Sequence, residues 1–211
     1  MKKGIFITFE GGEACGKSSQ IKLLKEYLLS LPNPERFVFV REPGGTPLGE
    51  EIRNMVMKDF ENAPLPMSEL LLYCASRAEL VERVIRPALQ EGKTVIADRF
   101  YDSTIAYQGM ARKIMSAEDI LKLTRMIIGQ LTPDLTFYLK IAPEEAFKRK
   151  ANMNEQLDRI ELEGMEFHQN VAKGYNYISK LEPQRFFVID ATKSIEEIAQ
   201  LIKDKVNDLI N

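Results

Sequence analysis

Apolar and β-branched residues gather in five short runs: Ile5–Phe9 (IFITF), Arg36–Val40 (RFVFV), Thr94–Asp98 (TVIAD), Leu135–Lys140 (LTFYLK) and Arg185–Asp190 (RFFVID). Each is too short for a helix and rich in strand-forming residues. Between them the apolar spacing turns helical, most clearly over Lys17–Leu31, Ser68–Glu91, Ser116–Gln130, Glu155–Lys180 and Ser194–Ile210. Ser194 with Glu197 has capping-box spacing, and Ser116 with Asp119 is a weaker version. Pro87 must kink or split the second helix, because it lacks the N–H a helix interior requires. Strands alternating with helices predict an α/β fold with a parallel sheet covered on both faces. Ligands of such a sheet sit beyond the carboxyl ends of its strands.

The first strand leads into Gly11-Gly12-Glu13-Ala14-Cys15-Gly16-Lys17-Ser18, expected with Ser19 to bind ATP. This is the G-x-x-x-x-G-K-[ST] pattern: glycines let backbone N–H groups turn toward phosphate oxygens, Lys17 reaches the β/γ-phosphates, and the Ser18 hydroxyl takes a Mg²⁺ position. The helix that follows aims its unpaired N–H groups and positive dipole end at the same anion. A nucleoside triphosphate site is therefore expected here.

Other strand ends carry further chemistry. The second delivers Arg41-Glu42-Pro43-Gly44-Gly45-Thr46-Pro47, read either as a tight surface loop or as part of the site. The third ends in Asp98-Arg99-Phe100-Tyr101-Asp102-Ser103-Thr104, with Asp98 at the position that helps hold Mg²⁺. Arg99 offers a planar fork suited to a second phosphate group. Tyr73 and Arg77 share a helical face, and with Tyr107-Gln108-Gly109 they supply flat and hydrogen-bonding side chains able to sandwich a base. The basic run Lys148-Arg149-Lys150 is either a solvated helix face or mobile charge for the transferring phosphoryl group. The sole histidine, His168, falls in the long helix away from these motifs and is assigned no chemistry.

Composition narrows the setting. The chain has 211 residues, suiting one domain, and a net charge of -2 that offers no general attraction to nucleic acid or to an anionic membrane. Two cysteines, Cys15 and Cys74, make neither a disulfide framework nor a C-x-x-C metal site, so a reduced cytoplasmic setting is expected. Met1-Lys2-Lys3 runs straight into the strand that carries the phosphate loop, so no cleaved leader is expected, and no apolar run approaches bilayer-spanning length.

Taken in order, the phosphate loop, Arg41–Thr46, Asp98-Arg99-Phe100, Ser103–Gly109 and Leu157-Asp158-Arg159-Ile160-Glu161 make the chain resemble the bacterial thymidylate kinases over nearly its whole length. The resemblance implies a three-layer P-loop kinase fold with parallel strand order 2-3-1-4-5, one domain over 1–211 with a mobile lid near 148–158, and a homodimer. It implies ATP and Mg²⁺, and transfer of the γ-phosphoryl group to dTMP. By position, Arg99 and Arg53 would hold the dTMP phosphate, Tyr73 would stack on thymine, and Arg77 and Thr104 would read its edge. Ser103, Gln108, Glu42 and Pro43 would complete the acceptor site. Tyr107 would lie where a ribose 2′-hydroxyl would have to fit, and Glu13 would approach the 3′-hydroxyl and Arg99. Ala191 and Thr192 would line the adenine. Asn152 and Asn154 stand where lid arginines are expected, leaving Arg149, Lys150 and Arg159 as cations. Two other readings stay open on residues alone: a kinase of another nucleotide or of a deoxynucleoside on the same fold, and a nucleotide-dependent switch protein. Against the second, neither D-x-x-G nor N-K-x-D occurs.

Overall fold

The computed structural model describes residues 4–57, 63–151 and 159–210. Five parallel strands form one sheet in the order β2-β3-β1-β4-β5: β1 (Ile5–Glu10), β2 (Phe37–Arg41), β3 (Thr94–Asp98), β4 (Leu135–Lys140) and β5 (Phe186–Asp190). β1 is central, pairing Ile5 with Thr94 of β3 and Ile7 with Leu135 of β4. Buried on both faces, it reads as one apolar run without alternation. Phe6 points into a core with Leu80, Val95, Phe100 and Ile178, while Ile7 and Phe9 point into the opposite core with Leu24, Phe137 and Ile202. Helix α1 (Lys17–Leu29) packs with α9 (Ile195–Ile210) on the second face, giving three layers.

The strand boundaries follow the sequence pattern to within a residue; several helices do not. The expected Ser68–Glu91 helix divides into α3 (Pro66–Leu80), a π-type turn over Val81–Ile85, and α4 (Arg86–Gln90), with Pro87 in the first turn of α4, where its missing N–H costs little. The expected Glu155–Lys180 helix is corrected: Arg159–Gly164 are not helical, residues 152–158 lie outside the description, and α8 runs from Met165 to Leu181. Gly164, extended at φ −67° and ψ 162°, starts it. Three helical elements carry too short a period to be read: α5 (Tyr101–Thr104) with a π-type turn over Ile105–Ala111, and α7 (Pro143–Ala151). α2 (Pro47–Met57) packs on α3, and α6 (Ala117–Ile128) begins at Ser116, whose Oγ accepts from Asp119 N at 3.1 Å. The capping box at α9 forms as its spacing suggests, with Glu197 N donating to Ser194 Oγ and Ser194 N to Glu197 Oε2. All five strands point their carboxyl ends to one edge, and the phosphate loop, the Arg41–Thr46 turn and the Asp98–Thr104 segment converge there.

Candidate active site

The phosphate loop leaves β1 through Gly11 at φ 150°, passes Ala14 at φ 50° and enters α1 from Gly16 at φ 91°. A side chain at Gly11 would strike Leu139 O at 2.7 Å and Cys15 Sγ at 2.8 Å, so glycine is required for close packing as well as for its backbone angle. No side chain caps α1 and no acidic residue stands in its first turn, which leaves the N–H groups of that turn for an anion. Lys17 is buried, its ammonium loosely placed 3.5 Å from the carbonyls of Gly11 and Gly12 and 3.8 Å from Cys15 Sγ.

Arg99 stands opposite, just past β3, in the left-handed region at φ 69° that non-glycine residues rarely adopt. Its N–H donates to Phe9 O at 3.0 Å, locking the residue to the central strand. Nη1 donates to Gly11 O at 2.9 Å, Tyr175 Oη at 3.0 Å and Ser103 Oγ at 3.2 Å, while Nη2 donates to Glu13 at 2.7 Å. The guanidinium lies 5.1 Å from the centre of the Tyr107 ring, and the Tyr107 hydroxyl donates to the same Glu13 oxygen at 2.6 Å. Burial works to raise the Glu13 pKa, but Arg99 and Lys17 overcome it and hold the carboxyl near 2, ionised at every working pH. Behind Arg99, Glu10 accepts from Phe100 N, Ser103 Oγ and Tyr175 Oη. Burial, with Asp102 next, pushes Glu10 up to about 7.

A cavity of about 330 Å³ opens between these groups, and every residue expected to hold the acceptor lines it, together with Glu13, Lys17, Ser18 and Asp98. At its far end Arg77 is fully buried, with Nε 2.7 Å from Glu42 and Nη2 donating to Thr104 Oγ1 at 2.7 Å. Its Nη1 has no partner. A buried guanidinium with one idle nitrogen is a donor waiting for an acceptor. Arg53 lines the cavity wall, with Nη1 on Pro43 O at 3.1 Å; burial, then the like charge of Arg41, lowers its pKa, so an anion there is welcome. Of the Arg41–Thr46 turn, Arg41, Glu42 and Pro43 line this cavity.

The family model described as thymidylate kinase matches residues 9–202. The chain belongs to the thymidylate kinase family. It is 46% identical to the thymidylate kinase of Chlorobium luteolum, over 97% of each chain, and 43% identical to that of Symbiobacterium thermophilum, over 98% of this chain and 94% of the relative. A crystal structure of thymidylate kinase from Ehrlichia chaffeensis superposes with a TM-score of 0.79 at 34% identity, covering 97% of this chain and 99% of that one.

Within this thymidylate kinase fold, Asp98 Oδ1 is buried without a hydrogen-bond partner, and Ser18 faces the same cavity. One carboxylate and one hydroxyl fit a Mg²⁺ ion that takes most of its remaining ligands from phosphate and water. The basic residues of α7 diverge, because successive residues on a helix point about 100° apart. Arg149 lies near Asp190 at the end of β5, whose pKa is lowered chiefly by two hydrogen bonds from Thr192, then by Lys193 and least by Arg149. Lys150 turns inward to pair with Glu161, close enough to Glu13 to lower its pKa. Arg159 folds onto α2 and α3, where it meets Val56 O and Glu69 respectively. Asn152, Asn154 and most of the expected lid fall outside the described residues. Ala191, buried, and Thr192, which donates to Asp190 Oδ1 at 2.9 Å, follow β5 and do not line the central cavity.

His168 is not remote, contrary to the sequence reading. It is buried between Phe147 and Phe167, with ring centres 4.9 and 5.5 Å away, and shares a small apolar cavity with Gly12 and Glu13. Burial lowers its pKa, favouring the neutral ring. Three further residues escape the sequence reading: Glu10, Glu69 and Tyr175. None stands in a local motif, and Tyr175 lies 76 positions from Arg99.

Proposed function

We propose that the protein transfers the γ-phosphoryl group of ATP to dTMP, giving dTDP and ADP in the route to dTTP. The observation that carries this is one cavity lined by Lys17 and Ser18 of the anion-ready loop, by Arg99 and Arg53, and by Arg77, whose buried Nη1 has no partner. The triphosphate lies along the loop N–H groups of Gly11–Ser19, with adenine toward Ala191 and Thr192. Ser18 and Asp98 would hold Mg²⁺, which when bound would supply charge neutralisation at the phosphate groups. Arg99 and Arg53 grip the dTMP phosphate, Tyr73 stacks on thymine, and Arg77 and Thr104 read its edge. Tyr107 closes the space a 2′-hydroxyl would need, and Glu13 meets the 3′-hydroxyl.

The attacking group is a phosphate oxygen of dTMP, already ionised near neutral pH, so no strong base is required. Rate then comes from positioning and from charge stabilisation as negative charge shifts between the two phosphates. Of the α7 cations, Lys150 is the one near Glu13 and is assigned to the phosphoryl group; Arg149 belongs with the adenine end. A coupled ADP-release assay with dTMP, dUMP, dCMP, dGMP and thymidine tests the reading. Strong preference for dTMP is expected, and ATP turnover indifferent to dTMP would refute it and favour a nucleotide switch. Lys150→Ala should lower kcat by ~100-fold, as for loss of a preorganised charge donor.

Met55, Met67, Leu71 and Met126 are exposed on the packed helices α2, α3 and α6, and we assign this apolar face to a homodimer, to be checked by sedimentation equilibrium. Two buried, unpaired cysteines support a cytoplasmic setting. Among the described residues no helix is long and apolar enough to cross a membrane.

A further inference from the structure

Glu69 of α3 is fully buried and does not line the central cavity, yet three side chains converge on it. Arg112 Nε donates to its Oε1 at 2.9 Å, Arg159 Nη2 to its Oε2, and Gln108 Nε2 to its Oε1 at 2.8 Å. Arg112 also pairs with Glu163 at 2.8 Å. Two guanidinium groups keep the Glu69 carboxyl ionised against its burial. An ionised carboxylate only accepts hydrogen bonds. The Gln108 amide can therefore turn only its NH₂ toward Glu69, because its oxygen there would meet a negative charge. Gln108 is itself buried and lines the cavity, and no donor among the described residues takes its Oε1.

We propose that Glu69 is the positioning residue for base selection: by claiming the Gln108 NH₂, it commits the amide oxygen to the cavity as an acceptor beside the idle Arg77 donor. This rests on the reading of the cavity as the pyrimidine site. One donor and one acceptor side by side match the edge of a 4-oxo pyrimidine, which offers O4 as acceptor and N3–H as donor. A 4-amino pyrimidine offers the reverse, an N4–H donor facing Arg77 and an N3 lone pair facing Oε1. An amide free to flip would present NH₂ to that lone pair and remove half of the mismatch. Glu69 forbids the flip from a distance, touching no ligand.

The test compares dTMP with 5-methyl-dCMP, which differ only along that edge, as ratios of kcat/KM for wild type, Glu69→Gln, Gln108→Leu and the double variant. Wild type should favour dTMP strongly, since a site built to hydrogen-bond one pattern leaves buried groups unpaired with the other. Glu69→Gln, whose neutral amide also donates, should lower the ratio by at least ~10-fold, one lost hydrogen-bond discrimination. In the Gln108→Leu background the same change should have no further effect on the ratio. A fall in both substrates in step, with the ratio unchanged, makes Glu69 merely structural and overturns the proposal. Should Glu69→Gln fail to fold, wild-type protein decides: the Gln108 side-chain amide protons, assigned by their absence in Gln108→Leu, must stay protected from exchange when dTMP binds, and loss of protection overturns it. Failure of wild type to turn over dTMP at all would instead sink the acceptor reading beneath it.

Discussion

Replacing Arg99 by lysine keeps the positive charge and removes the fork. The guanidinium spends its two terminal nitrogens on Gly11 O, Ser103, Tyr175 and Glu13, spanning the phosphate loop and α8 at once. A lysine ammonium is a single point and cannot reach both the loop carbonyl and the Glu13 carboxylate while meeting a phosphate. At least two charge-assisted bonds are lost at ~1.5 kcal/mol each, giving ~3 kcal/mol. At 1.36 kcal/mol per factor of ten, kcat/KM for dTMP should fall by about 100-fold. KM for ATP should change by less than about 3-fold, because triphosphate binding rests on the loop N–H groups and Lys17. Initial rates of ADP release, with each substrate varied against saturating concentrations of the other, separate the two. Tyr175→Phe serves as a control: it deletes one of the neighbours of Nη1 but leaves Gly11 O and Ser103, so a loss of about 5-fold, near 1 kcal/mol, is expected. If Arg99→Lys retains activity within 5-fold, or raises KM for ATP as much as it lowers kcat/KM for dTMP, then Arg99 does not hold the acceptor.

Other consequences follow from the buried charges. Asp102 and Arg185 form a two-pronged pair at 2.7 Å for each bond, both nearly inaccessible, directly beneath Ser103. Asp102→Asn should cost about 3 kcal/mol in urea denaturation by leaving Arg185 with only Glu182 and Thr136 as partners, and Asp102→Asn together with Arg185→Met should recover much of it. Burial raises Glu42 from its ordinary 4.5 up to about 7, against the pull of Arg77. Between those values the folded state holds a proton that the unfolded state has released, so this group favours folding most at acid pH and its contribution declines as pH rises from 4.5 to 7. Glu42→Gln should thus gain on wild type in melting temperature between pH 5 and 7; a difference flat across that interval would contradict the shift. The opposite sign holds for Glu13, held near 2, whose contribution is present above 4.5 and lost as pH falls toward 2.

The chain's own order of residues decided a great deal. Short β-branched runs separated by helical spacing dictate a parallel α/β sheet, since parallel strands need crossover helices and then bury both faces. Local motifs carried the rest of that reading: a glycine-lysine-serine loop works through backbone angles and a helix terminus, both fixed by neighbours in sequence. That Glu42, Pro43, Arg99 and Ser103 line one cavity was legible for the same reason, because they follow strand ends that the sheet must bring to one edge, whereas Arg53, Tyr73 and Arg77 reach it from α2 and α3 by packing. What the order of residues left undecided is everything that depends on which side chains meet across that edge. Glu10, Tyr175 and Glu69 look like ordinary strand and helix positions until packing places them behind Arg99 and Gln108. His168 looked remote because sequence distance says nothing about the approach of α8 to the loop. Arg149 and Lys150 are equivalent as letters, and only the turn of α7 separates them, one toward Asp190 and the other toward Glu13. Burial and opposed charge, not residue type, set the ionisation of Glu13, Glu42 and Glu10, and both are properties of the folded arrangement alone.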